Sequence, residues 1–170
     1  MNAAYYLAAL LKLCPQPVAD PVRFQTIADG LSIAAAEFLP RWRGTERELA
    51  AAQLTAVRFE SNAREDVHFG IVIGGAGEEC LMQIHPKNVV WKKHAANFQD
   101  LVGVELGRTV QCLRAGTESL VNARAKCSRE GYRKNLNAAM FSSYHMTGCW
   151  TSKERFRRAK MMNNILRGKI

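Results

Sequence analysis

One carboxylate stands where carboxylates rarely stand. Thr45-Glu46-Arg47-Glu48 has the form of a capping box, in which a Thr oxygen accepts from the third helical N–H and a Glu reaches back to the cap. From there Leu49, Ala52 with Gln53, Ala56 and Glu60 recur at three- and four-residue intervals, so they share one face of a helix. Glu60 closes an otherwise apolar stripe at the last turn. Burial and the negative end of a helix dipole both favour the protonated form of a carboxyl. A carboxyl that keeps its proton near neutral pH is what cleavage of a glycosidic bond needs as a donor. The bland alternative is a Glu at a frayed helix end, reaching out to water.

A second signal follows in Gly77-Glu78-Glu79-Cys80-Leu81-Met82-Gln83-Ile84-His85-Pro86. The glycines before it, Gly74-Gly75-Ala76-Gly77, lack the Gly-Lys-Ser/Thr ending of a phosphate-binding loop. They are read instead as permitting close backbone approach to a ligand or to the helix bearing Glu60. Glu60-Ser61 at a helix end, followed by Gly77-x-x-x-Leu81-Met82-Gln83-Ile84-x-Pro86, resembles the lysozyme-like superfamily, and within it the soluble lytic transglycosylases and goose-type lysozymes. The resemblance covers residues 45 to 148. It implies that Glu60 is the catalytic acid, that Ser61, Met82 and Gln83 belong to the sugar-binding cleft, and that Tyr144, in Phe141-Ser142-Ser143-Tyr144-His145-Met146-Thr147-Gly148, forms its floor. Cys80 stands where the family usually has a second Gly, and His145 where Asn usually follows the Tyr. Glu65 lies at a spacing from Gln83 that also occurs in the family and competes with Glu60. Glu60 is preferred because an apolar helical run precedes it and Ser61 follows it, whereas Glu65 sits with Asp66 in a polar stretch.

Two chemistries fit such an acid. Glycoside hydrolases pair it with a second carboxylate, for which Asp66, Glu78 and Glu79 are the candidates. A lytic transglycosylase uses one carboxyl, which protonates the glycosidic oxygen and then takes the proton of the muramic acid 6-hydroxyl as an anhydro ring closes. No second carboxylate occupies a fixed motif position, so the single-acid route is preferred. The expected reaction is cleavage of the MurNAc–GlcNAc bond of peptidoglycan, with Glu60 as general acid and base and no cofactor. No Cys-x-x-Cys pair or His spacing marks a metal site, and His85 is read as a cleft-wall or structural residue.

The elements that must position these residues read as helices. Residues 1–13 form a short apolar helix stopped by Cys14-Pro15-Gln16-Pro17, and Asp20-Pro21 opens a second that runs through Phe24, Ile27, Leu31 and Ala35 to Leu39 and ends at Pro40. A long pattern from Asp100 to Lys126 carries Leu106, Val110, Leu113, Thr117, Leu120 and Val121, with Gly116 allowing another helix to pass close by. A helix over 133–145 would turn Tyr144 inward. Ser152 caps a last helix whose Phe156, Ala159, Met162 and Leu166 face the body, with Arg155, Arg157, Arg158 and Lys160 on the remaining faces. Val67-His68-Phe69-Gly70-Ile71-Val72-Ile73 reads as a β-rich run, a small hairpin or irregular loop. The expected fold class is thus α+β, predominantly α-helical: a lysozyme-like core over 41–150 with a small β-element, a helical extension over 1–40, and a basic C-terminal helix over 151–170.

Size and composition agree with one globular domain of 170 residues, 48% hydrophobic and 23% charged. No apolar run approaches the roughly 20 residues of a membrane span, and Met1–Leu13 lacks the early basic residues of a signal peptide. The net charge of +9 is concentrated at the end, where residues 124–170 hold twelve Lys/Arg against Glu130 and Glu154. Such a surface attracts polyanions, whether nucleic acid, anionic lipid or the acidic polymers of a bacterial wall. Of the five cysteines, Cys112 and Cys127 lie about 22 Å apart on one helix and cannot join. Cys80–Cys112 and Cys127–Cys149 are candidate bridges, and five buried thiols in a reducing compartment are the alternative.

A phage lysis or virion-associated protein delivered by other phage components suits these features, which places the chain in a virion or in the host periplasm and cell wall. Two other classes remain. One is a non-catalytic structural component of a phage particle. The other is a basic nucleic-acid-binding helical protein, ranked last because aromatic interleaving and a helix-turn-helix are both missing.

Overall fold

The computed structural model describes residues 1–15, 20–145, 148–150 and 152–169. Among these, seven α-helices form: α1 (Ala3–Leu13), α2 (Pro21–Phe38), α3 (Glu46–Glu60), α4 (Glu65–His68), α5 (Leu106–Arg129), α6 (Leu136–His145) and α7 (Lys153–Leu166). Residues 16–17 of the expected stop and 146–147 of the later motif lie outside the described residues. The caps explain where the helices begin. The Asp20 carboxylate accepts from the N–H groups of Val22 and Arg23, with Pro21 in the first turn. Thr45 and Glu48 form the reciprocal capping box of α3, and Ser152 accepts from the Arg155 N–H at α7.

The chain is predominantly helical. The small β-element is not there: among the described residues only the isolated bridge between Glu79 and Ile84 pairs as strands do. The run expected to be β starts as the single turn α4. Its continuation folds back, with the N–H groups of Ile71 and Val72 both donating to the Asp66 carbonyl. A lone extended run needs partner strands to be stable. Ile71 and Ile73 are instead 75% and 54% exposed.

The core is continuous across the three segments of the sequence. Tyr6, Leu10, Phe24, Ile27, Leu31, Leu49, Leu54, Leu81, Leu113, Phe141 and Met162 belong to one buried cluster. Through it runs a polar bridge that joins three helices. The Tyr6 hydroxyl donates to Gln53 Oε1 at 2.5 Å, and Gln53 Nε2 donates to Thr117 Oγ1 at 2.9 Å. Buried polar atoms so matched hold α1, α3 and α5 in one register.

α5 begins with the first apolar residue of its pattern, Leu106, rather than at Asp100, because Gly103 at φ +135° separates it from a 3-10 turn at Phe98–Leu101. Gly116 does mark a close approach, though not by a helix. A Cβ there would come within 2.5 Å of the Met82 side chain, so Met82 fills the space that the glycine leaves. Among the described residues two disulfides, Cys80–Cys112 and Cys127–Cys149, tie other segments to α5 near its two ends, and Cys14 is a buried free thiol. Among the described residues no helix is long and apolar enough to cross a membrane.

Candidate active site at the junction of three segments

The two sequence signals are also where the backbone is strained. Among the described residues, five non-glycine ones have positive φ: Arg43, Asn62, Ala63, Cys80 and Gln83. Four of them lie within three residues of Glu60 or inside the Cys80–Gln83 segment. Left-handed conformations at such residues cost free energy and persist only where surrounding structure enforces them. At Ala63 the enforcing contact is plain: Arg23, itself buried, donates from Nη1 to the Ala63 carbonyl at 2.7 Å.

Glu60 ends α3 with its carboxylate 4% exposed. The competitor Glu65 is exposed at the start of α4. Burial is thus as the apolar stripe implies, but the surroundings are not purely apolar. Arg158, 7% exposed, reaches across from α7 and donates from Nη1 to Glu60 Oε1. The Arg158 guanidinium also lies 5.1 Å from the centre of the Phe59 ring and has its Nε 3.5 Å from Glu154 Oε1. Ser61, the partner of Glu60 in the motif, is engaged locally. Its hydroxyl donates to the Val57 carbonyl at 3.2 Å and accepts from the Ala63 N–H at 3.2 Å, which caps the helix end.

Tyr144 joins the segments. Its hydroxyl donates to the Met82 carbonyl at 2.6 Å. Burial pushes the phenol well above its usual range, the nearby Glu60 carboxylate adds to this, and Arg158 offsets part of it. α6 is therefore tied to the Met82 loop through this hydroxyl, with Glu60 at the end of α3 near enough for its charge to be felt. Tyr144 also lines a groove of about 520 Å³. To it the loop contributes Glu78, Gln83 and His85, α5 contributes Ser119, Asn122 and Lys126, and α6 adds Ser143. Glu60 opens on a separate hollow of about 380 Å³, shared with Arg58, Ser61, Asn62, Arg64 and Met161. Tyr144 is the link between groove and carboxylate.

The other residues singled out in the sequence divide sharply. Gln83 lies in the groove, held by its own backbone turn and by Nε2 donating to the Cys80 carbonyl at 3.1 Å. Met82 is fully buried beneath Gly116 and contributes its backbone rather than its side chain. Among the three candidate second carboxylates, Glu78 lines the groove and accepts from the Ala76 N–H at 2.9 Å. Glu79 does not line it. Burial pushes its carboxyl up, and its Oε2 meets no hydrogen-bond partner among the described residues. Asp66 is away from the groove, and its hydrogen bond with Arg64 holds its carboxyl below the usual range. His85 accepts from the Lys87 N–H through Nδ1 at 3.0 Å and stands on the groove wall.

Arg158, placed by the sequence on an outward face of the last helix, is 6% exposed instead, although a signal for its burial existed. It stands four residues before Met162 and seven before Ile165, so it shares the buried stripe of α7 with them. Phe156, expected to face the body, is 47% exposed instead. Glu118, Asn122 and Lys126 of α5 were likewise masked by the apolar pattern around them.

No family model, no curated protein and no solved structure matches the chain.

Proposed function

We propose that the chain cleaves the glycan strands of peptidoglycan as a lytic transglycosylase or lysozyme acting on the MurNAc–GlcNAc bond. The observation that carries this reading is the position of Tyr144, which lines the groove with Gln83, donates to the Met82 carbonyl and lies close enough to Glu60, on the neighbouring hollow, to feel its charge. A groove lined by amide, hydroxyl and ammonium groups suits a sugar strand, whose hydroxyls and acetamido groups need donors and acceptors. In the single-acid route the Glu60 carboxyl gives its proton to the glycosidic oxygen as the C1–O bond breaks. The muramic 6-oxygen then bonds to C1 and its proton returns to Glu60. In the hydrolytic route Glu78 is the second carboxylate, since it alone of the three candidates lines the groove. A phage lysis or virion-associated role, acting at the host wall, accords with this substrate.

A second reading is favoured by the Arg158 contact. A carboxylate matched by a guanidinium is a common structural pair, and a non-catalytic component of a phage particle would keep it for that purpose. Zymography on purified peptidoglycan, wild type against Glu60→Gln, separates the two. Clearing by the wild type and none by the variant supports the enzyme, and no clearing by either supports the scaffold. Mass spectrometry of the released ends, anhydro or reducing, then assigns the route.

A further inference from the structure

We propose that Arg158 is a positioning residue for the cleavage reaction. It fixes the direction in which the Glu60 carboxyl points. This rests on the reading of Glu60 as the acid.

The geometry argues for more than the docking of a helix. α7 already has Ala159, Met162 and Ile165 buried against the body. A buried ion pair is a poor way to add docking energy, because desolvation of both charges offsets most of their attraction. Here a guanidinium is nonetheless carried 98 residues along the chain to a single carboxylate oxygen. Arg158 is itself held on two further sides, by the face of Phe59 and by the Glu154 carboxylate four residues earlier on the same helix. A cation so restrained fixes what it touches. The other charged or titratable groups around Glu60 are the Tyr144 phenol from α6, Arg155 from α7 and Arg58 from α3 itself. Arg158, in addition to these, donates directly to Glu60 Oε1. A carboxyl held in one direction presents the same oxygen to every substrate, so a restrained neighbour raises turnover without adding to substrate binding. The charged end of the site thus belongs to the C-terminal helix, which the motif resemblance does not reach.

The test is steady-state cleavage of purified, uncrosslinked glycan strands by the full chain, with near-ultraviolet circular dichroism to confirm folding. Arg158→Gln is expected to lower kcat by about ten- to a hundredfold with KM within about twofold. Arg158→Lys is expected to recover most of this, ending about three- to tenfold below wild type. Met162→Ala loosens α7 without touching the pair and should keep kcat within about threefold. Arg158→Gln that folds and stays within about twofold of wild type overturns the proposal, as does Met162→Ala losing as much as Arg158→Gln. Should Arg158→Gln not fold, the Lys variant decides: a reduced kcat at unchanged KM supports the proposal, and parity overturns it. A wild type that cleaves no glycan overturns both this inference and the functional reading, whereas an active wild type with an unaffected Arg158→Gln overturns this inference alone.

Discussion

Two carboxylates in this molecule are buried to a similar depth and live in different worlds. Glu118 sits in the middle of α5 with its side chain 2% exposed, and three basic residues meet it: Arg41 at 3.1 Å, Lys93 at 2.8 Å and His94 at 2.8 Å. Burial pushes its carboxyl up, but the hydrogen bonds from Lys93, His94 and Arg41 outweigh that and hold it below the usual range. Two of those partners are themselves about half or more exposed, and all three come from the turns at Leu39–Arg41 and just after Trp91. Glu118 therefore rivets two loops to the central helix. Glu60, 4% exposed, sits at a helix end beside two left-handed residues, a hollow and the ring that lines the groove. A carboxylate wrapped by loop cations on regular backbone serves the scaffold. One placed among strain and cavity is where chemistry is to be sought.

The contrast is broken most directly by substituting both. Glu60→Gln should lower glycan cleavage by about 10²–10⁴-fold, the typical reach of a general acid, with the fold retained. Glu118→Gln should leave turnover within a few-fold of wild type. Equal losses in a turbidity-clearing assay of peptidoglycan would erase the distinction. The next largest effect concerns what braces the groove. Cys80 precedes Gln83 by three residues and Cys149 follows Tyr144 by five, and both bond to α5 on either side of the groove residues Ser119, Asn122 and Lys126. Replacing either pair by Ala should cost about 2–4 kcal/mol in urea unfolding. Hydrogen exchange should rise over 77–90 and 136–145 while the Glu118 cluster stays protected. Smaller again, Glu118→Ala removes hydrogen bonds to a charged group and should cost about 1.5–3 kcal/mol without altering KM or kcat. The released Arg41 and Lys93 return to water, and His94, 9% exposed, is the one left short.

The same contrast governs what could be read in advance. Helix starts were legible, because Asp20-Pro21, Thr45-x-x-Glu48 and Ser152 are capping chemistry that acts within a few residues. The burial of Glu60 was legible from its stripe. The β-run over 67–73 misled because β-branched residues state a preference that only a partner strand can satisfy, and none was in reach. Arg158 escaped because a basic helix invites the reading that every charge faces water. Nothing local says that one of four neighbouring cations has a carboxylate waiting 98 residues upstream. Gly116 announced a close approach correctly, but the identity of the visitor, Met82, is a tertiary fact. Both cysteine pairs were among the alternatives, yet spacing alone could not choose between bridges and thiols.

The least forceful probe uses pH and acts through His68, on the Glu60 side. His68, buried in α4, has Nε2 2.8 Å from Thr109 Oγ1, and that hydroxyl lies 3.2 Å from the Gly103 carbonyl. Since the threonine proton is directed at Gly103, the imidazole donates through Nε2, and its Nδ1 is left as a buried acceptor with no partner. Protonating that Nδ1 would create a buried cation without an acceptor, and burial, with Arg23 nearby adding to it, depresses the group from its usual 6.5 to about 4. A histidine depressed on folding binds its proton more readily in the unfolded chain, so stability is full above the unfolded value and declines as pH falls from about 6.5 towards 4. At pH 5.5 the loss should reach about 1.4 kcal/mol. Because Arg23 also holds the Ala63 carbonyl, loosening should spread to the strained turn after Glu60 before it reaches the Glu118 cluster. Urea unfolding of His68→Gln should be flat between pH 6.5 and 5.5, leaving the steeper acid loss of carboxylates held low, Glu118 among them, to begin further down. A wild-type slope that survives in His68→Gln would assign the titration elsewhere and dissolve this last difference between the two regions.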